Sequence, residues 1–387
     1  MFFLDLIDSV KLKPMIKFHE AHITEKEIES VSETLRSGWL TMGPKTQKFE
    51  QAFKDYIGCE YCVSVNSATA GLHLALRAIG LKAGDEVILP TTTFVATAEV
   101  VAYMQAVPIL CDIDPNTHTL DVKKLEPLIT KKTKVIMPVH FAGIPCDMDA
   151  LCDLAKKHNI IVIEDAAHAL PTTYKNKKIG TIGDITVFSF YATKTLATGE
   201  GGMICTHNQK WAEMMQRTRL HGMSREAWNR YGAKGKWHYE VLDMGYKYNM
   251  TDLNAALGLV QLEKLDWMNE QRKGIALRYL EAFEATSAQC LSVPKYASSS
   301  WHLFVIKVKK RDQLIEELIK NDIGFAVHFI PLYLHQFYQK TFKWDKAKYP
   351  IAEKVYHESL SLPIWPGLSR KDQEKIIDVV CHFLNDL

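Results

Sequence analysis

The stretch Ser189-Phe-Tyr-Ala-Thr-Lys194-Thr-Leu-Ala-Thr-Gly-Glu-Gly-Gly202 stands between two short apolar runs, 184–190 and 202–205. Both runs are rich in Val, Ile and Phe and are bounded by glycine, which predicts buried strands with Lys194 on the turn between them. In an apolar pocket an ammonium loses hydration and its pKa falls, so the amine becomes a nucleophile toward carbonyls. A surface lysine on a hairpin is the alternative, and the rest of the chain must decide.

A run of small residues, Asn66-Ser-Ala-Thr-Ala-Gly71, follows a predicted strand over 61–65 and precedes a helical pattern over 72–79. A strand, a small-residue turn and a helix N-terminus in this order present free backbone N–H groups and the positive end of the helix dipole to an anion. The hydroxyls of Ser67 and Thr69 add two donors. The pattern indicates a phosphate site, with simple capping of the helix as the alternative.

Short apolar strands and helical patterns then alternate along the chain. Such strands, joined by helical crossovers, are typical of a mostly parallel sheet covered by helices on both faces, with ligands at the carboxyl ends of the strands. The sequence therefore predicts an α/β fold. The predicted strands are 86–89, 107–112, 134–139 and 160–164, and the predicted helices between them are 93–105, 122–129 and 148–158.

Three strand ends carry residues that the sheet pattern does not require. Pro90-Thr-Thr-Thr-Phe94 places an aromatic ring after one strand, and Ile161-Val-Ile-Glu-Asp165-Ala-Ala-His168 places a carboxylate and an imidazole after the most apolar one. A buried carboxylate is costly unless paired, so Asp165 indicates either a helix N-cap or the partner of a ligand cation. Asp112-Ile-Asp114 resembles the D-x-D of metal-dependent glycosyltransferases, although this pattern is also common turn chemistry.

The second half of the chain changes character. Residues 222–245 form a glycine-interrupted, aromatic and basic segment that suggests a flap. Gly245-Tyr-Lys-Tyr-Asn249-Met-Thr-Asp252 then caps one long helical pattern over 253–283, and Asn249 stands too early in it to pack. Beyond residue 294 the periodicity predicts a small α+β domain, with strands 301–308 and 325–329 and helices 312–320, 351–360 and 370–384.

These shifts predict the domain organisation. We expect an N-terminal arm over 1–17, with Met15 as an alternative start. A large domain over 18–265 would include the flap-like segment, and a linker helix with the small C-terminal domain would cover 266–387.

Composition excludes several classes of function. The 387 residues carry a formal net charge of +2, so no bulk field favours nucleic acid or an anionic membrane surface. No apolar run approaches the roughly 18 to 20 residues that span a bilayer. Residues 1–10 contain aspartates and lack the lysine that is typical of the start of a secretion signal. The sequence therefore predicts a cytoplasmic protein with no membrane or nucleic-acid partner.

The cysteines and histidines predict no metal site. Eight cysteines are scattered through apolar patterns, which suits reduced core thiols. Cys59-Glu-Tyr-Cys62 has C-x-x-C spacing, but it runs into an apolar strand and no second pair follows, so both residues are interpreted as packing residues. The 15 histidines show no H-x-x-x-H or H-E-x-x-H spacing.

Taken together, the patterns match the needs of pyridoxal 5′-phosphate (PLP). Its phosphate needs N–H and hydroxyl donors, its ring needs a stacking face, its pyridine nitrogen needs an anion, and its aldehyde needs an amine. The turn 66–71, Phe94, Asp165 and, 29 residues after that carboxylate, Lys194 supply these four groups.

Four motifs in order resemble the DegT/DnrJ/EryC1/StrS sugar aminotransferases. They are Asn66-Ser-Ala-Thr-Ala-Gly-Leu, Glu164-Asp-Ala-Ala-His-Ala, the 189–202 stretch and the 245–252 stretch. The resemblance implies an aspartate-aminotransferase-like fold (PLP fold type I), a homodimer with shared active sites, and transfer of an amino group from L-glutamate to a nucleotide-linked keto-sugar. Dehydratase relatives replace the lysine with histidine, so Lys194 favours an aminotransferase.

The same resemblance implies roles for individual residues. Lys194 matches the Schiff-base lysine, Asp165 the partner of the pyridine nitrogen, His168 the residue beside the ring hydroxyl, and Phe94 the stacking residue. The phosphate contacts are matched by Thr69, Ala70 and Ser189, and by Asn249 acting from the other subunit.

Within the family, 221–231, 239–242 and the run from His328 to Tyr338 resemble members that act on UDP-linked 4-keto sugars for surface polysaccharides or lipid A. We expect Trp39, Tyr191, His328 and Tyr338 near the sugar nucleotide. Three-keto and dTDP-linked sugars stay open as substrates. A metal-dependent glycosyltransferase that uses Asp112 and a non-catalytic PLP-binding regulator are the readings from other classes.

Overall fold

The computed structural model describes residues 15–224 and 239–385. Residues 1–14 of the expected arm and residues 225–238 of the expected flap therefore lie outside the described chain.

The secondary structure alternates strands and helices up to about residue 218 and then becomes mainly helical. The helices are α1 Glu25–Ser37, α2 Pro44–Ile57, α3 Ala68–Ala78, α4 Ala96–Tyr103, α5 Met148–His158, α6 Gln209–Thr218, α7 Asp252–Glu263, α8 Leu265–Phe283, α9 Arg311–Lys320, α10 Gln336–Phe342, α11 Pro350–Glu358 and α12 Arg370–Asn385. The strands are β1 Tyr61–Val65, β2 Glu86–Pro90, β3 Val107–Cys111, β4 Thr133–Ile136, β5 Ile161–Asp165, β6 Thr173–Tyr174, β7 Lys177–Lys178, β8 Ile185–Ser189, β9 Gly202–Thr206, β10 Gln289–Cys290, β11 Ala297–Ser298, β12 Phe304–Lys307 and β13 Ser359–Leu362.

A seven-stranded sheet in the described chain has the order β1-β9-β8-β5-β4-β2-β3. Strands β3, β2, β4, β5 and β8 pair in parallel, whereas β9 is antiparallel to both of its neighbours. All strands but β9 therefore end at one edge of the sheet. Because β9 runs the other way, its first residue, Gly202, lies at that same edge, opposite Ser189 of β8 and Val65 of β1.

Apolar side chains cover both faces of this sheet. One cluster joins Phe53 of α2 and Met148 of α5 to the sheet residues Ile136 and Phe188. A second cluster packs α3 and α4 on the other face. Burying each large apolar side chain stabilises the fold by about 1.5 to 3 kcal/mol before the entropy cost of ordering it. The predicted sheet between two helical layers is confirmed.

The C-terminal part has a small sheet of its own. Strands β10, β12 and β13 pair antiparallel and pack against α8, α9 and α12. The predicted smaller α+β unit is confirmed. Helix α8 contributes Leu265 and Met268 to the first cluster and Tyr279 and Phe283 to this one, so it belongs to both parts. The domain boundary at residue 265 stays a prediction.

Several predicted elements were wrong in detail. The pattern over 253–283 is two helices, which meet at Lys264. The predicted helix 122–129 is two 3-10 turns, Val122–Lys124 and Glu126–Leu128, because Pro127 has no N–H to continue a helix.

Two predicted C-terminal elements also differ. Residues 325–329 form only an isolated bridge, between Ala326 and Ser361. The predicted helix 351–360 ends at Glu358, and the chain enters β13 because its next residues pair with β12. The helical spacing of apolar residues does not show that the chain leaves the helix here to pair with a strand.

None of the helices within 15–224 and 239–385 has the length and apolarity needed to cross a membrane.

Asp112 has a structural role at the end of β3. Its buried carboxylate accepts hydrogen bonds from the N–H groups of Ile351 (3.2 Å) and Ala352 (2.9 Å) and pairs with Lys124 at 3.0 Å. It thus caps the N-terminus of α11, where a negative charge is favourable. A carboxylate used in this way disfavours the glycosyltransferase reading.

Asp112→Ala leaves three backbone N–H groups, those of Ile113, Ile351 and Ala352, without their charged acceptor. We therefore expect the free energy of unfolding to fall by about 2 to 4 kcal/mol. Asp114→Ala removes only a local turn contact to Asn116 and Thr117 and should cost less than about 1 kcal/mol. Urea unfolding measures both. The folded Asp112→Ala protein should keep its specific activity, and a folded but inactive variant would contradict the structural assignment.

Candidate active site

A cavity of about 600 Å³ opens at the carboxyl edge of the sheet. The ends of β1, β2, β5 and β8 surround it, as expected for a parallel sheet. Of the residues predicted for the site, the cavity lining includes Thr69, Phe94, Asp165, His168, Ser189, Tyr191, Lys194 and His328.

The turn after β1 and the first turn of α3, residues 66–71, form one wall of the cavity, the phosphate wall. Ser67 caps α3, since its Oγ accepts the N–H of Ala70 at 3.1 Å and its carbonyl accepts the N–H of Gly71. The N–H groups of Ala68 and Thr69 and the Thr69 hydroxyl are then the first-turn donors that can face an anion. Ala70, predicted as a phosphate contact, is not among the described lining residues, and its N–H already donates a hydrogen bond to Ser67 Oγ.

The start of β9 packs directly behind this turn. A Cβ on Gly202 would lie 2.9 Å from the Ala68 nitrogen, the Ser67 carbonyl carbon and the Phe188 oxygen. Only glycine permits this approach, so the glycines that close the 189–202 stretch bring the lysine loop against the phosphate wall.

Asp165 lies 5% exposed at the end of β5. The Thr97 hydroxyl donates to Oδ2 at 2.8 Å, and the Ala167 N–H donates to Oδ1 at 3.2 Å. Thr97 is itself hydrogen-bonded to Thr93 at 2.8 Å. Burial raises the pKa of Asp165, while these hydrogen bonds and the charge of Lys194 oppose the rise. A cation bound beside this carboxylate would favour its ionised form.

Lys194 stands on the loop between β8 and β9, as predicted. The loop is fixed because Phe190 and Leu196 are buried and because Asn254 of α7 donates to the carbonyls of Thr198 (2.7 Å) and Glu200 (3.2 Å). Burial lowers the pKa of Lys194 to about 8, against the opposing charge of Asp165. The lowered pKa favours a partly uncharged amine near neutral pH, and the position of Lys194 in the cavity lining excludes the surface-lysine alternative.

His168 has a defined tautomer. Its Nδ1 accepts the backbone N–H of Ala142 at 3.2 Å, so the proton of the neutral ring is on Nε2. Burial, together with the charge of Lys194, holds the pKa of His168 well below its usual range. The residue therefore offers a neutral N–H donor, with its ring stacked on Phe329.

Two exposed rings and an imidazole line the outer part of the cavity. Phe94 is 58% exposed and Tyr191 47% exposed. His328 Nδ1 lies 2.9 Å from Ser361 Oγ, and burial lowers the pKa of His328 to about 4.

Besides Ala70, three predicted residues lie outside the described lining of the cavity. Tyr338 is 3% exposed, packs in the core cluster beneath α4, and donates to the Val95 carbonyl at 3.2 Å. Its place near the sugar stays a prediction, which this packing does not support. Trp39 lies outside the described lining, where its Nε1 donates to the Met42 carbonyl. Asn249 is buried and donates to the Met250 carbonyl, so its contact with a second subunit stays a prediction.

The sequence reading missed three residues of the site. Thr97, which holds Asp165, lies in the first turn of α4, and its hydroxyl also contacts that of Thr93, which precedes the helix. His19 and His302 line the cavity from distant segments, and nothing in the local sequence pointed to them. Burial is the main cause that lowers the pKa of both, to about 3 for His19.

Comparison with known proteins settles the family. The model of the DegT/DnrJ/EryC1/StrS aminotransferase family matches residues 21–381. The chain belongs to this family. The chain is 48% identical to the spore coat polysaccharide biosynthesis protein SpsC of Bacillus subtilis over 366 residues, which cover 92% of this chain and 94% of SpsC.

Solved structures of family members share the fold. A putative sugar aminotransferase from Streptococcus pneumoniae, in its PMP form, superposes with a TM-score of 0.91 at 36% identity, covering 96% of this chain and 99% of that one. Helicobacter pylori PseC, an aminotransferase involved in the biosynthesis of pseudoaminic acid, gives a TM-score of 0.91 at 30% identity over 96% and 100% of the two chains. The predicted PLP fold type I is confirmed, and the chain is a PLP-dependent sugar aminotransferase.

The cavity fits this cofactor on its own chemistry. The first turn of α3 and Thr69 can hold the phosphate, Asp165 the ring nitrogen and Lys194 the aldehyde carbon, with Phe94 beside the ring. When bound, PLP supplies an aldehyde that condenses with amines and a ring that withdraws electrons from the attached carbon.

Gly202→Ala forces β9 away from the phosphate wall. We expect PLP affinity to fall about 5- to 150-fold, equivalent to the roughly 1 to 3 kcal/mol that overpacking costs. Gly274→Ala is the control, because a Cβ there meets nothing within 4 Å. Spectroscopic titration of PLP measures both variants, and equal affinity for Gly202→Ala and wild type would contradict the close approach.

Burial of Lys194 predicts a pH-dependent cost in the cofactor-free protein. Because the folded pKa, about 8, is below the usual 10.5, the cost of burying the charge is fully present below pH 8 and disappears as the pH rises toward 10.5. Lys194→Met should therefore be more stable than wild type at pH 7, by at most about 3 kcal/mol, with a difference that shrinks between pH 8 and 10.5. Urea unfolding across this range measures it, with exposed Lys177→Met as control; a constant difference would refute the shifted pKa.

Proposed function

We propose that this enzyme transfers the amino group of L-glutamate to the keto carbon, C4, of a UDP-linked keto-deoxysugar. The product would serve the biosynthesis of surface polysaccharide, lipid A or another glycan. We further propose that the enzyme works in the cytoplasm as a homodimer with shared active sites.

The charge of the cavity wall is the observation that carries the sugar part of the proposal. Among the described lining residues Lys194 is the only lysine or arginine, and the lining histidines have lowered pKa values and are neutral at pH 7. Apart from Lys194, the described wall therefore has no fixed positive charge that would select an acidic acceptor over a neutral one. Neutral imidazoles and the exposed rings of Phe94 and Tyr191 instead suit an uncharged ring with many hydroxyls.

The names of two relatives support a role in glycan synthesis. SpsC is a spore coat polysaccharide biosynthesis protein, and PseC is involved in the biosynthesis of pseudoaminic acid. The UDP group and C4 rest on the resemblance of the variable segments. Because Trp39 and Tyr338 lie away from the cavity lining, dTDP-linked and 3-keto sugars remain the second candidates.

The residues of this chain have separate tasks in the proposed reaction. Lys194 Nζ, with its pKa near 8, would take up the proton that leaves the substrate carbon bearing the amino group and later release it, a role that contributes roughly 10²- to 10⁴-fold. Asp165, fixed by Thr97, keeps a negative charge at the ring nitrogen. The Nε2–H of His168 would donate a hydrogen bond to the ring hydroxyl of the cofactor.

The proposed dimer is supported by the segment that follows the undescribed residues. Val241, Leu242 and Met244 are each more than half exposed, and apolar side chains in such a row are typical of an interface. The same segment continues to Tyr248, whose carbonyl accepts the N–H of Asn66 at the phosphate turn. A partner covering this surface would sit next to the phosphate wall.

Two half-reactions test the function. Without acceptor, the holoenzyme should convert L-glutamate to about one equivalent of 2-oxoglutarate per chain while the visible band of the cofactor is lost. UDP-linked 4-keto sugar should then restore the band and be aminated with a higher kcat/KM than a dTDP-linked or 3-keto analogue. Lys194→Ala should fold, bind PLP and lose at least about 10²-fold in either half-reaction, whereas exposed Lys177→Ala should not.

Absence of 2-oxoglutarate with wild-type enzyme would reject the glutamate donor and favour a non-catalytic regulator. A higher kcat/KM for one of the analogues would reject the UDP-4-keto assignment alone.

A further inference from the structure

Three buried thiols converge on the far side of the large sheet, away from the cavity. Cys59 follows α2, Cys62 lies on the edge strand β1, and Cys205 is its direct partner on β9. Their sulfur atoms all lie within 4.8 Å of one another, with 3.2 Å between Cys59 and Cys62 and 3.5 Å between Cys62 and Cys205. The C-x-x-C motif thus gains a third thiol from 143 residues away, which spacing alone could not show.

The separations suit one shared ion. Three sulfurs that each bind a metal at about 2.3 Å lie roughly 3.8 to 4.0 Å apart. The observed separations, from 3.2 Å to at most 4.8 Å, bracket this value, so changes in side-chain torsion are enough to close the site. Because two of the three residues are hydrogen-bonded strand partners, the backbone already fixes most of the geometry.

All three cysteines are buried, so their sulfur atoms face one another and not bulk solvent. His207, two residues beyond Cys205, is exposed, and its Nδ1 lies 3.6 Å from Glu60 Oε1.

We propose that Cys59, Cys62 and Cys205 form a trithiolate site for a thiophilic closed-shell metal ion such as Zn²⁺. Binding forms three metal–sulfur bonds and releases the thiol protons to solvent, with no change of oxidation state. The ion ties the end of α2 to the paired strands β1 and β9. Since Cys205 is at the opposite end of β9 from Gly202, the site is structural and separate from catalysis.

The test uses the PLP-loaded protein under reducing conditions. Dialysis against Zn²⁺ should leave one tightly held ion per chain, and Cys59→Ser and Cys205→Ala should weaken binding at least about tenfold. Cys152→Ser, a half-buried cysteine of α5 outside the cluster, should bind like wild type. Substitution with Co²⁺ should give sulfur-to-metal charge-transfer absorption in wild type and Cys152→Ser only, and Zn²⁺ should raise the Tm of these two proteins.

The visible band of PLP reports whether each variant has folded. Absence of bound Zn²⁺ in wild type, or equal binding in all folded variants, would overturn the proposal. Loss of two titratable thiols per chain in air, reversed by a reductant and not prevented by Zn²⁺, would replace it with a Cys59–Cys62 disulfide.

Discussion

The active site depends on placing an amine and a carboxylate of opposite charge in one cavity at the carboxyl ends of the strands. Lys194 and Asp165 come from neighbouring strands, β8 and β5, whose carboxyl ends meet because the two strands are parallel. Burial costs each charged group part of its hydration, and the opposite charge of the other group offsets part of this cost. The charge of Lys194 lowers the pKa of Asp165, and the charge of Asp165 raises the pKa of Lys194. The amine therefore has a pKa of about 8, and the carboxylate beside it is placed to pair with a cation.

The surrounding protein supplies the rigidity that such a pair needs. Behind Asp165, the buried Glu164 accepts hydrogen bonds from Gly183 (2.8 Å) and Thr186 (2.6 Å) and pairs with His140 at 2.8 Å, which fixes the end of β5. On the other wall the antiparallel β9 brings a glycine against the phosphate turn. Neutral imidazoles then give the cavity hydrogen-bonding capacity without further charge.

The sequence predicted those features that local chemistry determines. The phosphate turn, Asp165, His168 and Lys194 each follow a strand, and the parallel sheet brings them together. Contacts between distant segments were not predictable. His19 and His302 reach the cavity from the N-terminal segment and the small domain. Tyr338, which was expected near the sugar, packs in the core. Helical periodicity could not reveal the break at Lys264, because both helices continue one apolar pattern.

We propose that Lys194 is the amine that holds the cofactor. Reduction of the holoenzyme with borohydride, followed by proteolysis and mass spectrometry, identifies the lysine that is bonded to PLP. We expect one reduced PLP group per chain, on the peptide that contains Lys194. A label on another lysine, or no covalent label on a protein that binds PLP, would contradict the assignment of this loop as the catalytic element.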